Sequence, residues 1–316
     1  MSLRQTIGEL GEFALISAIT ERLNNPEVPE VLVGIGDDSA VIQTQGQNVV
    51  ACLDMMTQGV HFRLDWSSAR DIGGKVVAAN LSDIYAMGAK PTSLLVGLAM
   101  PATTEVNWVL ELADGMRDEA ARVGVRVVGG DVVRADSISL AVTALGDLEG
   151  RKPILRSGAQ VGDVVAVAGQ LGYSAAGLLM LSRGFRTPRV LVNAHRAPQP
   201  RYDLAQQALH ATSMIDVSDG LVSDLSHIAR ASGVSININS SAFEISDDLA
   251  SAAGAFNGDA LEWILTGGED HAFVATFSSV NVVPDEWLVI GTVGEGNPKV
   301  LIDDVEYLKA GWNHFS

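Results

Sequence analysis

Short apolar runs and longer stretches with helical spacing follow one another through the first half of the chain. Apolar residues cluster at Val49–Leu53, Leu94–Ala99 and Ile138–Leu145, which predicts strands. Ala69–Met87 and Glu105–Val123 repeat apolar residues at helical spacing and end at or beside a glycine, which predicts helices. The short connections between these elements indicate an α+β layer in which one sheet carries helices on one side.

Two helix starts are predicted from residues that favour the capping position. Thr103 or Thr104 is expected to cap the second of these helices, because a hydroxyl there accepts a hydrogen bond from an unpaired backbone N–H. Ser218 is expected to cap a later helix that extends to Ala231 for the same reason.

The second half of the chain begins a new pattern after Leu148–Asp163, a stretch that combines glycine, proline and basic residues. Strands are predicted at Val164–Ala168 and Ala272–Phe277, with a helix at Ser174–Ser182 between them. The segment from that helix to Pro200 is interpreted as irregular because it is rich in proline and arginine.

Length and composition indicate a folded protein with two domains. The chain has 316 residues, of which 47% are hydrophobic and 19% charged, and this balance is typical of globular proteins. We expect an N-terminal domain at residues 1–148 and a C-terminal α/β domain at residues 149–316.

Charge, hydropathy and cysteine content argue against several classes of partner. A net charge of −17 without a basic run argues against nucleic-acid binding. No stretch approaches the roughly 20 apolar residues of a membrane span, and the start lacks a signal pattern. Cys52 is the one cysteine, so an intrachain disulfide and a cysteine-based zinc cluster are excluded. These features favour a cytoplasmic location.

Carboxylates recur beside glycine or serine at the ends of the predicted strands. Gly34–Val41 reads G-I-G-D-D-S-A-V, and a predicted strand at Val125–Val128 runs into G-G-D, which ends at Asp131. Neighbouring side chains of an extended segment point to opposite sides, so Asp38 can face a site while Asp37 anchors the loop. The same pattern adds four further candidates, which are Asp54, Asp83, Asp216 and Asp219.

Such a set of oxygen ligands suits Mg²⁺, which keeps several waters and bridges the phosphates of a substrate. An acidic protein that binds a phosphate compound needs a divalent cation between the two. The Walker, protein-kinase, dinucleotide-binding, G-x-S-x-G and H-E-x-x-H patterns are all absent from the sequence. Metal-assisted phosphoryl transfer therefore fits the residues best.

Seven segments, in order, resemble the thiamine-monophosphate kinase family nearly from end to end. They are G-I-G-D-D-S-A-V, Q-G-V-H-F, A-A-N-L-S-D-I-Y-A-M-G-A-K-P, G-G-D, R-S-G-A-Q-V-G-D, I-D-V-S-D-G-L and T-G-G-E-D. This family belongs to the larger group shaped like aminoimidazole ribonucleotide synthetase. The resemblance implies ATP-dependent conversion of thiamine monophosphate to thiamine diphosphate by direct in-line transfer. It also implies a homodimer whose ferredoxin-like N-terminal domains build a shared barrel.

The resemblance further assigns roles to individual residues. No catalytic general base is nominated, because the phosphate acceptor is already anionic. The implied ligands of Mg²⁺ are Asp38, Asp54, Asp83, Asp131, Asp216 and Asp219. The implied ATP contacts are Gly130, Asp131, Arg156 and Ser218, and the implied thiamine-phosphate contacts are His61, Glu269 and Trp312. A cationic thiazolium beside Glu269 and an aromatic face at Trp312 is electrostatically reasonable.

Two positions depart from the usual pattern of this family. Cys52 and Leu53 stand where Ser-Thr usually precedes the aspartate matched by Asp54, so a hydroxyl ligand is lost there. His271 follows G-G-E-D where a tyrosine is more usual. Two other interpretations stay open: another ATP-using synthetase of the same structural group, and a nucleotide-binding protein without catalysis.

Overall fold

A computed structural model describes residues 5–10, 12–23, 31–33, 41–44 and 48–307. The chain divides into two compact units. The first runs up to Ile84 and resumes from Ala89 to Arg151, and the second comprises Tyr85–Gly88 together with the chain from Lys152 onward. The predicted Asp37, Asp38 and Trp312 lie outside the described residues.

The first unit is built on a four-stranded sheet. Its described helices are α1 (Ile7–Leu10), α2 (Glu12–Leu23), α3 (Ala69–Ala86) and α4 (Val106–Ala121). Its described strands are β1 (Val31–Val33), β2 (Val41–Ile42), β3 (Val49–Thr57), β4 (Lys90–Met100), β5 (Val127–Arg134) and β6 (Ser139–Asp147). The sheet order is β3-β6-β4-β5, with β4 and β5 parallel and the other pairs antiparallel, while β1 pairs with β2 separately.

Helices α3 and α4 pack so closely that glycine is required on both. A Cβ built on Gly73 would lie 2.1 Å from the carbonyl oxygen of Leu112, and one on Gly115 would lie 2.1 Å from that of Arg70. Their contact brings the buried side of α3 into the core, where Ile72 and Val76 are fully buried.

The opposite face of the sheet is largely apolar and exposed. Along β3 every second residue is exposed, including Leu53 at 58% and Met55 at 55%. Met55 lies in a row with Ala141 of β6, Gly97 of β4 and Asp131 of β5. Residues paired across strands share a face, so this row belongs to one surface, which is called the open face below.

The second unit contains a seven-stranded sheet of order β13-β12-β9-β11-β7-β10-β8. Its strands are β7 (Val164–Ala168), β8 (Ser213–Val217), β9 (Ser235–Ile238), β10 (Ala272–Phe277), β11 (Leu288–Gly294), β12 (Lys299–Ile302) and β13 (Val305–Glu306). Its helices are α5 (Tyr173–Ser182), α6 (Arg189–Arg196), α7 (Tyr202–Ala205), α8 (Leu221–Ser232), α9 (Asp247–Phe256) and α10 (Ala260–Thr266). Every residue of β10 is buried, so this strand lies in the core.

The short segment Tyr85–Gly88 is held within the second unit by several contacts. The ring of Tyr85 stacks on that of Tyr202 with centroids 5.1 Å apart, and its hydroxyl accepts a hydrogen bond of 2.9 Å from Gln206. The N–H of Ile154 donates to the carbonyl of Met87 over 3.0 Å. The second unit is therefore assembled from two separate stretches of the chain.

The structure corrects three predictions about element ends. Helix α4 has Glu105, not Thr103 or Thr104, at its N-cap position, without a side-chain capping bond. Helix α8 begins at Leu221 after Gly220, whose φ of 114° only glycine adopts readily, so Ser218 is not a cap. Strand β5 continues through the G-G-D segment instead of ending before it.

Helix α6 occupies part of the stretch that was expected to be irregular. Pro188 precedes its first residue, a position that proline tolerates because the N–H groups of the first turn need no helical partner. Its buried residues Leu191, Val192 and His195 share one side, as helical spacing requires. None of the described helices is long and apolar enough to cross a membrane.

Candidate functional site

Two predicted metal ligands of the first unit, Asp54 and Asp83, lie around one buried amide and one thiol. Asn80 on α3 donates to the carbonyl of Val76 over 2.9 Å, and its Oδ1 accepts from the N–H of Asp54 over 3.0 Å. The thiol of Cys52 donates to the carbonyl of Asn80 over 3.3 Å. These bonds fix β3 against α3 and thereby set where both carboxylates stand.

The thiol of Cys52 remains protonated at neutral pH. Burial raises its pKa, and the negative charges of Asp83 and Asp54 raise it further. A protonated thiol is a poor ligand for a hard cation, which prefers oxygen. The raised pKa of the Cys52 thiol therefore follows from its burial and from the two nearby carboxylates, and the thiol adds no metal ligand to them.

Gly130 and Asp131 lie next to each other on the edge strand β5. A Cβ on Gly130 would approach the carbonyl oxygen of Val96 to 2.1 Å, so the sheet itself requires glycine there. Asp131 is exposed on the open face, and its Oδ1 accepts from the N–H of Val132 over 2.9 Å. Asp54 points to the opposite face because it neighbours Met55 along β3. The described residues of one copy therefore do not bring Asp131 beside Asp54 and Asp83.

A mainly apolar cavity of about 90 Å³ borders Gly130 and Asp131. Its walls come from α2, α4, β4 and β5, and they include Ile19, Leu23, Val109, Met116, Leu98 and Val127. A flat apolar group suits such a space, which lies on the helix-covered side of the sheet, opposite the open face that carries the Asp131 carboxylate.

His61 lies half-buried in the loop after β3. Its Nδ1 accepts from the N–H of Thr57 over 3.0 Å, so in the neutral ring the hydrogen is on Nε2. The buried Lys75 donates from Nζ to the carbonyl of His61 over 3.2 Å. The N–H of His61 also donates to the carbonyl of Thr57 over 3.0 Å, so both backbone and ring hold this loop residue in place.

In the second unit, Asp216 and Asp219 stand on either side of the end of β8. Asp216 is buried, and its Oδ2 lies 3.1 Å from Nδ1 of the buried His271. The N–H of Asp219 donates to Oδ2 of Asp224 over 3.1 Å. Burial and the charges of Asp216 and Asp219 raise the pKa of Asp224 to about 8. Negative charge is thus crowded here.

Sequence reasoning missed Asp224, which completes this acidic group. The apolar residues around it, Leu221, Val222 and Leu225, lie on the same side of α8 and could have indicated that its carboxylate is buried. Each group by itself is small: among the described residues, no three His, Cys, Asp or Glu side chains lie close enough to hold a metal ion.

The turn that carries Glu269 is fixed to the segment that carries Ser218. The N–H of Glu269 donates to the carbonyl of Ser218 over 2.7 Å. Glu269 and His271 have φ values of 62° and 51°, a region that few non-glycine residues enter. Between them, Asp270 accepts from the N–H groups of Gly172 and Ser174 over 2.6 and 2.8 Å. Burial raises the pKa of Asp270 to about 7.

Arg156 opens the short 3₁₀ turn Arg156–Gly158 and is exposed. Its carbonyl accepts a bond of 2.8 Å from the hydroxyl of Ser232, which fixes the backbone while leaving the guanidinium at the surface. Burial lowers the pKa of His227, and the positive charge of Arg156 lowers it further. An exposed cation of this kind can meet an anionic ligand.

Comparison with known proteins identifies the class to which this fold belongs. Residues 36–148 match the family described as AIR synthase related protein, N-terminal domain, and residues 160–304 match AIR synthase related protein, C-terminal domain. The chain therefore belongs to the AIR synthase related family.

Individual relatives narrow this class. The chain is 46% identical to the thiamine-monophosphate kinase of Mycobacterium tuberculosis (strain ATCC 25618 / H37Rv), over 98% of this chain and 93% of that protein. The crystal structure of thiamine monophosphate kinase from Aquifex aeolicus is 29% identical and matches 96% of this chain and 100% of its own, with a TM-score of 0.78. The structure of AaThiL complexed with AMPPCP and TMP is 31% identical and matches 99% of this chain and 100% of its own, with a TM-score of 0.80. Within the AIR synthase related family, the chain belongs to the thiamine-monophosphate kinases.

Proposed function

We propose that the chain transfers the γ-phosphoryl group of ATP to thiamine monophosphate and so produces thiamine diphosphate. The similarity to thiamine-monophosphate kinases along 98% of the chain carries this conclusion. A similar structure is that of AaThiL complexed with AMPPCP and TMP, an ATP analogue and the phosphate acceptor. The carboxylate groups in both units supply the chemistry that such a transfer needs.

Mg²⁺ fits the ligands that the chain offers. Asp54 and Asp83 are oxygen donors near a thiol that stays protonated, and burial together with the negative charges of Asp216 and Asp219 raises the pKa of Asp224. Mg²⁺ is usually held by one or two carboxylates together with substrate phosphates, so small acidic groups suffice. Bound there, it would screen the charge of the phosphates. We propose that Asp38 and Asp131 join this set.

ATP is proposed to bind beside Gly130 and Asp131 of the first unit. The apolar cavity next to them suits an aromatic base. Arg156 of the second unit offers an exposed cation for a phosphate, and Ser218 offers a hydroxyl. These four contacts rest on the family resemblance together with the exposure and chemistry of each group.

Thiamine monophosphate is proposed to contact His61, Glu269 and Trp312. The side chain of Glu269 is 29% exposed, so one part of the carboxylate can reach a ligand. A carboxylate at that position favours the positive charge of a thiazolium ring. In the neutral ring of His61 the hydrogen is on Nε2, and an N–H donor of this kind suits a phosphate oxygen.

The acceptor is itself an anionic phosphate, so no side chain is assigned as general base. The residues of the chain act by holding donor and acceptor in line and by excluding water from the space between them. The alignment of the two phosphates and the screening of their charge therefore matter more for this reaction than a nucleophilic side chain does.

We also propose a homodimer in which the open face of the sheet meets a second copy. Val49, Leu53, Met55 and Val133 each expose 50% or more of their surface on or beside this face. A contiguous apolar sheet surface is stabilised by burial. The proposed location is the cytoplasm, where ATP is available and a single cysteine stays reduced.

The decisive experiment follows ADP release with ATP and Mg²⁺ in three parallel assays, containing thiamine monophosphate, free thiamine or no acceptor. Release with the monophosphate alone, together with thiamine diphosphate, is expected. Asp83→Asn should retain the fold and lose most turnover, whereas Asn193→Ala, an exposed change on α6, should retain both. ATP binding without release would favour the non-catalytic alternative, and release with a different phosphate acceptor would favour another synthetase.

A further inference from the structure

A buried histidine of the second unit lies against the carboxylate that is proposed to meet the thiazolium ring. His195 is 5% exposed and belongs to α6. Its Nδ1 lies 3.3 Å from Oε2 of Glu269 and 3.1 Å from the hydroxyl oxygen of Ser174. This contact joins three elements, α6, α5 and the turn after α10, behind one side chain that reaches the surface.

Two oxygens lie near Nδ1, and we assign the hydrogen of the imidazole to this nitrogen because one of them belongs to a carboxylate. An ionised carboxylate only accepts hydrogen bonds, so Nδ1 must carry a hydrogen in order to bond Glu269. The hydroxyl of Ser174 then accepts a share of the same hydrogen. A nucleophilic relay would require the serine and the carboxylate on opposite ring nitrogens. The cluster is therefore arranged to hold a carboxylate and not to activate a serine.

The backbone of Glu269 is already fixed, which leaves its side-chain rotamer as the remaining freedom. Its N–H is bonded to Ser218, and the carboxylate of the next residue, Asp270, is bonded to the first turn of α5. A glutamate has three side-chain torsions, and ordering them costs free energy on binding. A donor that orders the carboxylate beforehand reduces that cost.

We propose that His195 is a positioning residue for acceptor recognition: its Nδ1–H orients the Glu269 carboxylate toward the cationic ring of the acceptor. The inference rests on the proposed function, because it assumes that Glu269 meets the thiazolium. It concerns affinity for the acceptor only, since His195 itself has no contact with a reacting atom.

The test compares His195→Leu, His195→Asn and the control Asn193→Ala in steady-state kinetics. Leucine removes the donor, whereas the amide of asparagine places an N–H near the position of Nδ1. His195→Leu should raise KM for thiamine monophosphate roughly ten-fold, as expected for a hydrogen bond to a charged group. KM for ATP should change less than two-fold, His195→Asn should recover most of the affinity, and Asn193→Ala should match the wild type.

A neutral acceptor analogue separates positioning from general damage. A thiazole alcohol monophosphate whose ring nitrogen carries no alkyl group lacks the positive charge, and its inhibition constant should be the same for wild type and His195→Leu. Adding His195→Leu to Glu269→Gln should cause little further loss of affinity, because the histidine acts only through this carboxylate. If His195→Leu does not fold, the same cycle is measured with His195→Ala, which also lacks the donor.

Three results would overturn the inference. Unchanged KM for thiamine monophosphate in both His195 variants would remove any positioning role. Equal losses of affinity for ATP, for the cationic acceptor and for the neutral analogue would indicate damage to the fold. Independent, additive losses from His195 and Glu269 would separate the two residues. A wild type that is inactive on thiamine monophosphate would instead refute the proposed function, and this inference with it.

Discussion

The Nδ1 of His271 lies 3.1 Å from Oδ2 of Asp216, and both side chains are buried. The histidine also has a left-handed backbone with φ of 51°. The pair therefore joins the turn after α10 to the end of β8 through one buried polar contact. Buried carboxylates depend strongly on such donors.

Removing this donor should destabilise the protein. His271→Phe is expected to lower the free energy of unfolding by about 1–3 kcal/mol, because a buried carboxylate loses a hydrogen-bond donor. His271→Asn should lose less, since asparagine retains a donor and accepts a left-handed backbone. Urea denaturation measures both, with the exposed His210→Phe as control. Equal stability of His271→Phe and His210→Phe would contradict the assigned role.

Asp224 should make stability depend on pH in the absence of Mg²⁺. Its pKa is raised from 3.8 to about 8, so the folded state binds this proton more tightly than the unfolded state does. The resulting stabilisation is complete below about pH 4 and is lost as pH rises toward 8. Asp224→Asn stays neutral and retains an oxygen for the N–H of Asp219.

We therefore expect Asp224→Asn to be more stable than the wild type at pH 8 by about 1–3 kcal/mol, with the difference shrinking toward pH 5. Thermal unfolding at several pH values without divalent cation measures this. Added Mg²⁺ should reduce the advantage of the variant, because the cation compensates the carboxylates of the wild type. Parallel pH profiles for the two proteins would argue against the raised pKa.

Glycine at the contact of α3 and α4 should be irreplaceable. Gly73→Ala places a methyl group 2.1 Å from the carbonyl of Leu112, so the helices must separate. A loss of about 1–3 kcal/mol or more is expected from such overpacking. Gly254→Ala on α9 has nothing within 4 Å and should stabilise by about 0.5–1 kcal/mol. Chemical denaturation measures the change in the free energy of unfolding for each variant. Changes of opposite sign would confirm the packing, and changes of the same sign would contradict it.

Charge on the open face should prevent the proposed dimer. Leu53→Lys combined with Met55→Lys introduces two cations into a surface that a second copy would have to desolvate. Sedimentation should show a monomer for this variant and a dimer for the wild type. Val280→Lys, at a residue 59% exposed in the second unit, should leave the dimer intact. If the variant with both Leu53→Lys and Met55→Lys remains a dimer, the two copies meet through another surface.

Cys52→Ser should restore an oxygen beside Asp54 and Asp83. A hydroxyl can keep the bond to the carbonyl of Asn80 and also bind a hard cation, which the protonated thiol does poorly. We expect a lower Mg²⁺ concentration for half-maximal activity. Cys52→Ala, which removes the thiol without adding oxygen, should not share this gain. The Mg²⁺ dependence of ADP release distinguishes the two.

The fold was predictable where apolar runs are unambiguous. Strands Val164–Ala168 and Ala272–Phe277 appear at the predicted residues because they form nearly continuous apolar runs, in which the buried Thr276 is the one polar residue. Helix α6 was missed because its arginines and the prolines on either side of it suppress the local signal, although one face is buried. Ser218 was misread as a cap because its sequence neighbours fit that pattern, whereas its carbonyl is used by Glu269.

The candidate site was predictable only where its acids follow strands. Asp54 and Asp216 stand out because an apolar run precedes each. Asp224, Asp270 and His195 did not stand out, since their roles depend on partners 5 to 98 positions away in the sequence. Such partners become visible only when helices and turns are packed in three dimensions.

Because Tyr85–Gly88 belongs to the second unit although the chain before and after it belongs to the first, the two units are hard to express as separate fragments. A ribosome completes this segment some 60 residues before it reaches Lys152, where the rest of the second unit begins. A fragment that starts at Lys152 would lack the ring that stacks on Tyr202 and the acceptor for the N–H of Ile154. The two units therefore cannot be separated by one cut without leaving part of the second unit behind. Gene fusions or domain exchanges would need a break on each side of Tyr85–Gly88 as well.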